Sequence, residues 1–256
     1  MIRQAGKKVL IEKLLDEKKE ALHFTLIDPD RQTPEKAKAI AKKCQQYDTD
    51  AIMIGGSSSF NQRLLDDTVR AVKESVDLPT ILFPNSAATV SRYADYIFFM
   101  SLLNSKDFRY LIKEQVSAVP LIQSAQLEPI SMGYLVISTS SKPTTIEKRV
   151  KLDVIDEKDV TKAVDYALAA QYLGMSCVYL EAGSGAEKPV PTEMVQAVRT
   201  VLGVPLIVGG GIREASQAVA IVRAGADVIV TGTIVEQDIS RLKSLIRAVK
   251  SQRYEK

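Results

Sequence analysis

A chain of 256 residues, 46% hydrophobic and 25% charged, has enough apolar mass for a large buried core and the composition of an ordinary globular protein. Its formal charge of +3 is spread without a long like-charge block, which argues against a nucleic-acid partner and leaves a small anionic ligand open. Two distant cysteines, Cys44 and Cys177, and one histidine, His23, make neither a disulfide framework nor a zinc site, so a reducing cytoplasm is the expected setting.

The opening stretch MIRQAGKKVLIEKLLDEKKEA carries charges at helical spacing and lacks the unbroken apolar run of a signal peptide or membrane span, so no transmembrane segment is expected. Short apolar runs rich in β-branched residues then recur, each followed by a turn and an amphipathic stretch. The pattern predicts strands at 23–28, 51–55, 80–83 and 96–100, with helices at 34–46, 61–76 and 107–118 and a shorter one near 87–93. Strands follow at 133–138, 176–182, 205–209 and 227–232, with helices at 159–173, 191–202, 214–224 and 236–251. Thr33 before Pro34, and Pro191 before Thr192 and Glu193, are good helix starts. His23, at the start of the first strand, reads as a structural residue near the barrel's bottom or interior.

Eight strands alternating with helices, undivided by a linker, predict one TIM (β/α)8 barrel over residues 1–256. A doubly wound open sheet is the competing architecture. Residues 137–159 are long and polar for a strand-to-helix loop; they read as a solvated loop or lid, or as a segment at an active-site mouth or subunit contact.

In such barrels the loops after the last two strands often hold a phosphate on exposed backbone N–H groups. Gly209, Gly210 and Gly211 follow the seventh strand, and Thr231, Gly232 and Thr233 follow the eighth. Glycine lets a phosphate oxygen approach without a Cβ in the way, although three glycines also make a sharp turn. After the sixth strand, LEAGSGAEKPVP (180–191) places Glu181 at the rim with Gly183, Ser184 and Gly185 beyond it, a combination that suits a polyol phosphate. At the first strand's end, IDPDR brings Asp28 and Asp30 together, either an ordinary turn or a site for Mg²⁺. GGSSSF after the second strand is a second anion or metal candidate, or a solvated turn.

Taken in order, LIDPD (26–30), MIGGSSS (53–59), FFMSLLNS (98–105), YLEAGSGAEKPVP (179–191), VGGGI (208–212) and VTGT (230–233) resemble the geranylgeranylglyceryl phosphate synthases and their bacterial heptaprenylglyceryl phosphate relatives across nearly the whole chain. The resemblance implies a TIM-barrel prenyltransferase of lipid biosynthesis that joins the C3 hydroxyl of sn-glycerol 1-phosphate to geranylgeranyl diphosphate. The product is the first ether bond of archaeal-type membrane lipids. It further implies Mg²⁺ on Asp28 and Ser57, with Asp28 in the catalytic machinery. Glycerol phosphate would lie on Tyr179, Leu180, Glu181, Ala182, Gly183, Ser184 and Gly185, on Gly210 and Gly211, and on Gly232 and Thr233. Glu181 is the implied acceptor of the hydroxyl proton, and residues 98–103 and 134–137 are expected to line a groove for the prenyl tail.

Where some members have KLDP, this chain has Leu26-Ile27-Asp28-Pro29, so a lysine that assists with phosphate there is absent and the chain resembles the other main branch. LLDDTVR (64–70) lacks the third acid of a DDxxD motif, against the all-helical prenyl-diphosphate enzymes. Members form dimers or larger rings; residues 137–159 hold no aromatic anchor between dimers, which favours a homodimer. A long prenyl substrate implies transient membrane-surface contact. The rival readings are another prenyl length, a phosphate-binding isomerase with Asp28 as base, and a barrel that binds a phosphometabolite without turnover.

Overall fold

The computed structural model describes residues 8–55 and 61–252. Among the described residues there are nine parallel strands: β1 (Leu22–Ile27), β2 (Ala51–Ile54), β3 (Thr80–Leu82), β4 (Tyr96–Leu102), β5 (Glu128–Ser138), β6 (Ile155–Asp156), β7 (Cys177–Glu181), β8 (Leu206–Gly209) and β9 (Val228–Thr231). The order β4-β3-β2-β1-β9-β8-β7-β5 is closed by pairing of β4 with β5, giving an eight-stranded TIM barrel. The two-residue β6 pairs with the far end of β5, outside the ring.

Alternation along each strand explains two cores. One face fills the barrel with Phe24, Met53, Ile81, Phe98, Met132, Tyr179 and Ile207, and the helix Leu10–Lys18 closes the bottom by adding Leu10, Ile11 and Leu15. The other face, including Ile27, Ile54, Leu82, Leu180 and Val208, packs under the helical shell.

Each of the eight predicted strands is present, with one boundary misplaced. β5 starts at Glu128, five residues before its sequence reading, with Glu128 opposite Tyr96 and Pro129 opposite Ile97. Pro129 obscured this extension, since a strand interior usually excludes a residue without an N–H. The short helix expected near 87–93 is absent. Pro84 opens a run of turns in which the Thr89 hydroxyl accepts from the Ser86 N–H and donates to the Ser86 carbonyl, while Gln62 donates to the Val90 carbonyl and Ser91 to the Asp66 carboxylate. Side-chain bonds of this kind offer the backbone an alternative to the helix.

The helix expected at 107–118 begins as a π-turn, Arg109–Lys113, and continues as Glu114–Ala125 through Pro120. Pro120 cannot donate to the carbonyl of Val116, but Val116 is 61% exposed, so water can serve that carbonyl. The last predicted helix is split at Asp238, whose side chain caps Ser240 and Arg241 and starts the helix Ile239–Lys250 anew.

His23 is structural, in the layer between strands and helices rather than inside the barrel. Its Nδ1 lies 2.8 Å from the Thr49 hydroxyl and its Nε2 2.9 Å from that of Thr231. Thr49 donates to the His23 carbonyl, so Nδ1 is the protonated nitrogen and Thr231 donates to Nε2. Below it, Lys250 bridges Asp50 and Glu20 and ties the last helix to the barrel. Burial, reinforced by Lys250, lowers the His23 pKa to about 3. An unfolded chain binds a proton at His23 below about pH 6.5, whereas the folded chain does so only near pH 3. Stability is therefore expected to fall as pH drops through this window, by up to about 1.4 kcal/mol per pH unit from this group. Urea unfolding at successive pH values checks this, and His23→Gln should flatten the slope.

Candidate functional site

The C-terminal ends of the strands open into a cavity of about 620 Å³. Its polar side is built on β7, β8 and β9. Glu181, the last residue of β7, points inward and is nearly fully buried. The carboxylate accepts a hydrogen bond from the backbone N–H of Gly183 at 2.6 Å, and the phenols of Tyr134 and Tyr179 are its polar neighbours. Burial pushes the carboxyl above its usual range, and these three groups pull it part of the way back. Tyr134 and Tyr179 sit opposite each other in the β5–β7 register, their ring centroids 5.3 Å apart, and burial holds both phenols neutral.

The glycines after β8 answer to the protein's own atoms. A Cβ on Gly209 would stand 2.1 Å from the Tyr179 hydroxyl oxygen, and one on Gly210 would stand 2.3 Å from Oε1 of Glu181. Gly211 lies against the Lys188 carbonyl, 2.3 Å from where its Cβ would be. Gly210 and Gly211 also have positive φ, +81° and +69°. All three positions are thus emptied by the Tyr179–Glu181 pair and by the loop after β7, and Gly210 and Gly211 still line the cavity with their backbone.

That loop is held from two sides. The Arg213 guanidinium donates to the carbonyls of Ala186 and Glu187. The segment after β5 supplies Thr139, whose hydroxyl donates to the Lys188 carbonyl, and Ser141, which donates to the Glu187 carboxylate. The segment then forms the helix Thr145–Arg149, with Thr144 packed onto Gly183 and bonded to Glu147. Ile146 and Val150 join the barrel-interior cluster, and Thr145, Ile146, Arg149 and Val150 line the cavity. Within residues 137–159, then, Thr145, Ile146, Arg149 and Val150 lie at the cavity.

Asp28 reaches the cavity from the end of β1. It caps the short 3-10 turn Pro29–Arg31 by accepting from the Asp30 N–H at 3.0 Å, and the Arg31 guanidinium lies 3.5 Å away. Asp30 is exposed and does not line the cavity. Among the described residues no cluster of three or more His, Cys, Asp or Glu side chains could cage a metal by itself. A single carboxylate beside a polar cleft suits an ion whose other ligands are water and substrate phosphates. Ser57 lies outside the described residues.

Beyond the polar side the cavity becomes apolar. It runs over Phe83 and β4 toward the helix Glu114–Ala125, lined by Phe98, Phe99, Met100, Leu102, Ala118 and Ile122. Phe98 faces the barrel interior and Phe99 the shell, so the groove crosses from inside the barrel to outside it. It does so beside the connection that lacks a helix, residues 83–95.

The structure brings Asp28, Tyr179, Glu181, Gly183, Ser184, Gly185, Gly210, Gly211, Gly232 and Thr233 to this one cavity. The side chains of Leu180 and Ala182 instead belong to the strand–helix layer, and the Ala182 N–H is already bonded to the Gly209 carbonyl. In the expected groove, Tyr134 lines the cavity but Leu135 and Ile137 face the shell, as strand alternation requires. Sequence reading placed Tyr134 in the groove rather than beside Tyr179, and missed the helix residues Ala118 and Ile122, and Arg213. The i,i+4 spacing of Ala118 and Ile122 was an available signal; the Tyr134–Tyr179 register was not.

The PcrB family model matches residues 13–252 of the chain. The geranylgeranylglyceryl phosphate synthase of Methanosarcina barkeri is 50% identical over 244 residues, which cover 94% of this chain and 97% of that protein. The solved wild-type GGGPS of Thermoplasma volcanium superposes with a TM-score of 0.90 at 42% identity, covering 96% of this chain and 100% of that one. The (S)-3-O-geranylgeranylglyceryl phosphate synthase of Thermoplasma acidophilum, solved in complex with its substrate sn-glycerol-1-phosphate, also has a TM-score of 0.90. It is 39% identical and covers 95% of this chain and 99% of that one.

Proposed function

The chain belongs to the PcrB family, and from that premise we propose that it transfers a geranylgeranyl group from its diphosphate to the C3 hydroxyl of sn-glycerol 1-phosphate. The observation that carries this reading is a buried carboxylate, Glu181, between a small-residue polar cleft and a long apolar groove. A phosphate fits the cleft at Gly183–Gly185, Gly210–Gly211 and Gly232–Thr233, and a hydrocarbon chain fits the groove along Phe98–Leu102 and Ala118. A sugar-phosphate isomerase has no use for such a groove.

Between the two, Glu181 accepts a hydrogen bond from the C3 hydroxyl and takes its proton as the oxygen bonds to the allylic C1. The C1–oxygen bond to diphosphate breaks, and its electron pair leaves with diphosphate. The small-residue cleft fixes the nucleophile's position, which removes most of the entropic cost of the encounter. Asp28, with Ser57, would hold Mg²⁺. When bound, that ion neutralises charge gathering on the leaving diphosphate.

We further propose that the enzyme works as a homo-oligomer in the cytoplasm and meets the membrane surface transiently. No helix of the described residues is long and apolar enough to cross a membrane. Exposed Phe108, Ile112, Val116 and Val119 along the 108–125 segment suit a contact between copies.

The test is incubation with radiolabelled sn-glycerol 1-phosphate, Mg²⁺ and geranylgeranyl diphosphate, with farnesyl and heptaprenyl donors in parallel. A C20 ether product that is lost in EDTA is the expected result. No product from any donor would sink the transferase reading, and a dominant C35 product would change the chain length.

A Gly209→Ala substitution should lower kcat by at least about tenfold, because the new methyl displaces the Tyr179 hydroxyl and disturbs the carboxylate beside it. Steady-state kinetics on the folded variant checks this. An unchanged kcat would mean that Tyr179 can move without consequence.

A further inference from the structure

Resting on the reading of Glu181 as proton acceptor, we propose that Thr144 is a positioning residue for the reaction, packed against Gly183 so that the Gly183 N–H stays on the Glu181 carboxylate. Gly183 is held at three points. Its N–H donates to Oε1 of Glu181 at 2.6 Å, and its carbonyl accepts from the Ala186 N–H at 3.1 Å. Where a Cβ would stand, Oγ1, Cβ and Cγ2 of Thr144 lie 2.6, 2.7 and 2.8 Å away, so the threonine fills that space. The φ of Gly183 is +99°, a conformation that glycine reaches without strain but has no preference for. Glycine alone thus leaves the amide free to turn, and the contact from Thr144 is what restricts it.

Thr144 is itself fixed. It is buried, β-branching restricts its χ1, and its backbone N–H and hydroxyl both donate to the Glu147 carboxylate, at 2.7 and 2.6 Å. It stands at the start of the helix Thr145–Arg149, which Ile146 packs against the barrel interior. The segment after β5 meets the loop after β7 at three other residues. Thr139 donates to the Lys188 carbonyl, the Ser140 hydroxyl accepts from the Glu187 N–H, and Ser141 donates to the Glu187 carboxylate. Those contacts hold the outer part of the loop, and of the four residues Thr144 is the one that reaches the partner of Glu181. Thr144 does not line the cavity, so it acts through Gly183 and not on the reacting atoms. The amide it steadies fixes the direction in which a buried carboxylate faces.

Thr144→Gly removes all three contacting atoms, and glycine is nearly as good at a helix N-cap as threonine. The kcat should fall by at least about tenfold, because the base loses its alignment, while the KM for glycerol phosphate changes much less. Thr144→Val has the same shape and should restore most of kcat, although it loses the hydroxyl bond to Glu147. In protein carrying isotope-labelled glycine, without substrate, the Gly183 amide proton is recognised by its shift in Glu181→Gln. It should move upfield in Thr144→Gly and return in Thr144→Val. On a Glu181→Gln background, Thr144→Gly should lower kcat no further. Thr144→Ala keeps one contacting atom and should fall between, which covers the case in which the glycine variant does not fold. An amide signal that stays put, or a raised KM with kcat held, would reduce Thr144 to a support of the loop. Absence of prenylated product from the wild type would instead overturn the transferase reading, and the amide shift would stand apart from it.

Discussion

Glu181→Gln is expected to lower kcat by about 10²- to 10⁴-fold, the usual contribution of a positioned general base, and to change the KM for glycerol phosphate much less. The amide has the carboxylate's shape, its oxygen can still accept from Gly183, and the phenols of Tyr134 and Tyr179 can rotate their hydroxyl hydrogens to meet an NH2 group. What it cannot do is take a proton. Because burial penalises the Glu181 charge, the variant should be at least as heat-stable as the wild type. That separates loss of chemistry from loss of fold. The acid limb of the pH profile should also disappear, since the group that titrates there is gone. If KM rose instead while kcat held, Glu181 would orient the hydroxyl and the proton would go elsewhere.

How much of this could be read from the sequence depended on whether a property was local. The eight strands were legible because each is a short apolar run ended by a turn, and Glu181, Gly183 and Gly210 because they lie at strand ends in motifs that stay contiguous along the chain. β5 was under-read because Pro129 argues locally against a strand, while its place opposite β4 is a tertiary fact. The helix near 87–93 was wrongly expected for the converse reason. A capped, partly apolar stretch looks helical until Gln62 and Asp66, from the neighbouring helix Gln62–Lys73, claim its polar groups.

Non-local pairing also explains what was hidden in the site. Nothing in the sequence around Tyr134 says that its ring meets Tyr179, 45 positions on, because that contact exists only through the β5–β7 register. The glycines after β8 were correctly flagged as positions that tolerate no side chain. The sequence suggested an arriving phosphate as the cause. The structure supplies nearer ones in Tyr179, Glu181 and Lys188, so the glycines make room for the Glu181 carboxylate as well as shaping the cleft.

Asp28→Asn is expected to reduce turnover by at least about 10²-fold while sn-glycerol 1-phosphate still binds, because a Lewis acid on a leaving group is worth several kcal/mol of barrier. The substitution isolates charge from structure. Asp28 caps Pro29–Arg31 through one oxygen accepting from the Asp30 N–H, and an asparagine carbonyl makes the same bond. The turn should therefore keep its shape, and the cation facing it, Arg31 at 3.5 Å, loses only a modest surface attraction. Two measurements read the outcome: single-turnover product formation across Mg²⁺ concentrations, and calorimetric binding of glycerol phosphate without the donor. Weaker Mg²⁺ dependence with intact glycerol phosphate affinity is the expected pair. Undiminished turnover would remove Asp28 from the metal role and leave it as the cap of a turn. Lost glycerol phosphate affinity would mean that Asp28 acts on the acceptor's side of the cavity, and the division of labour between β1 and the β7–β9 loops would have to be redrawn.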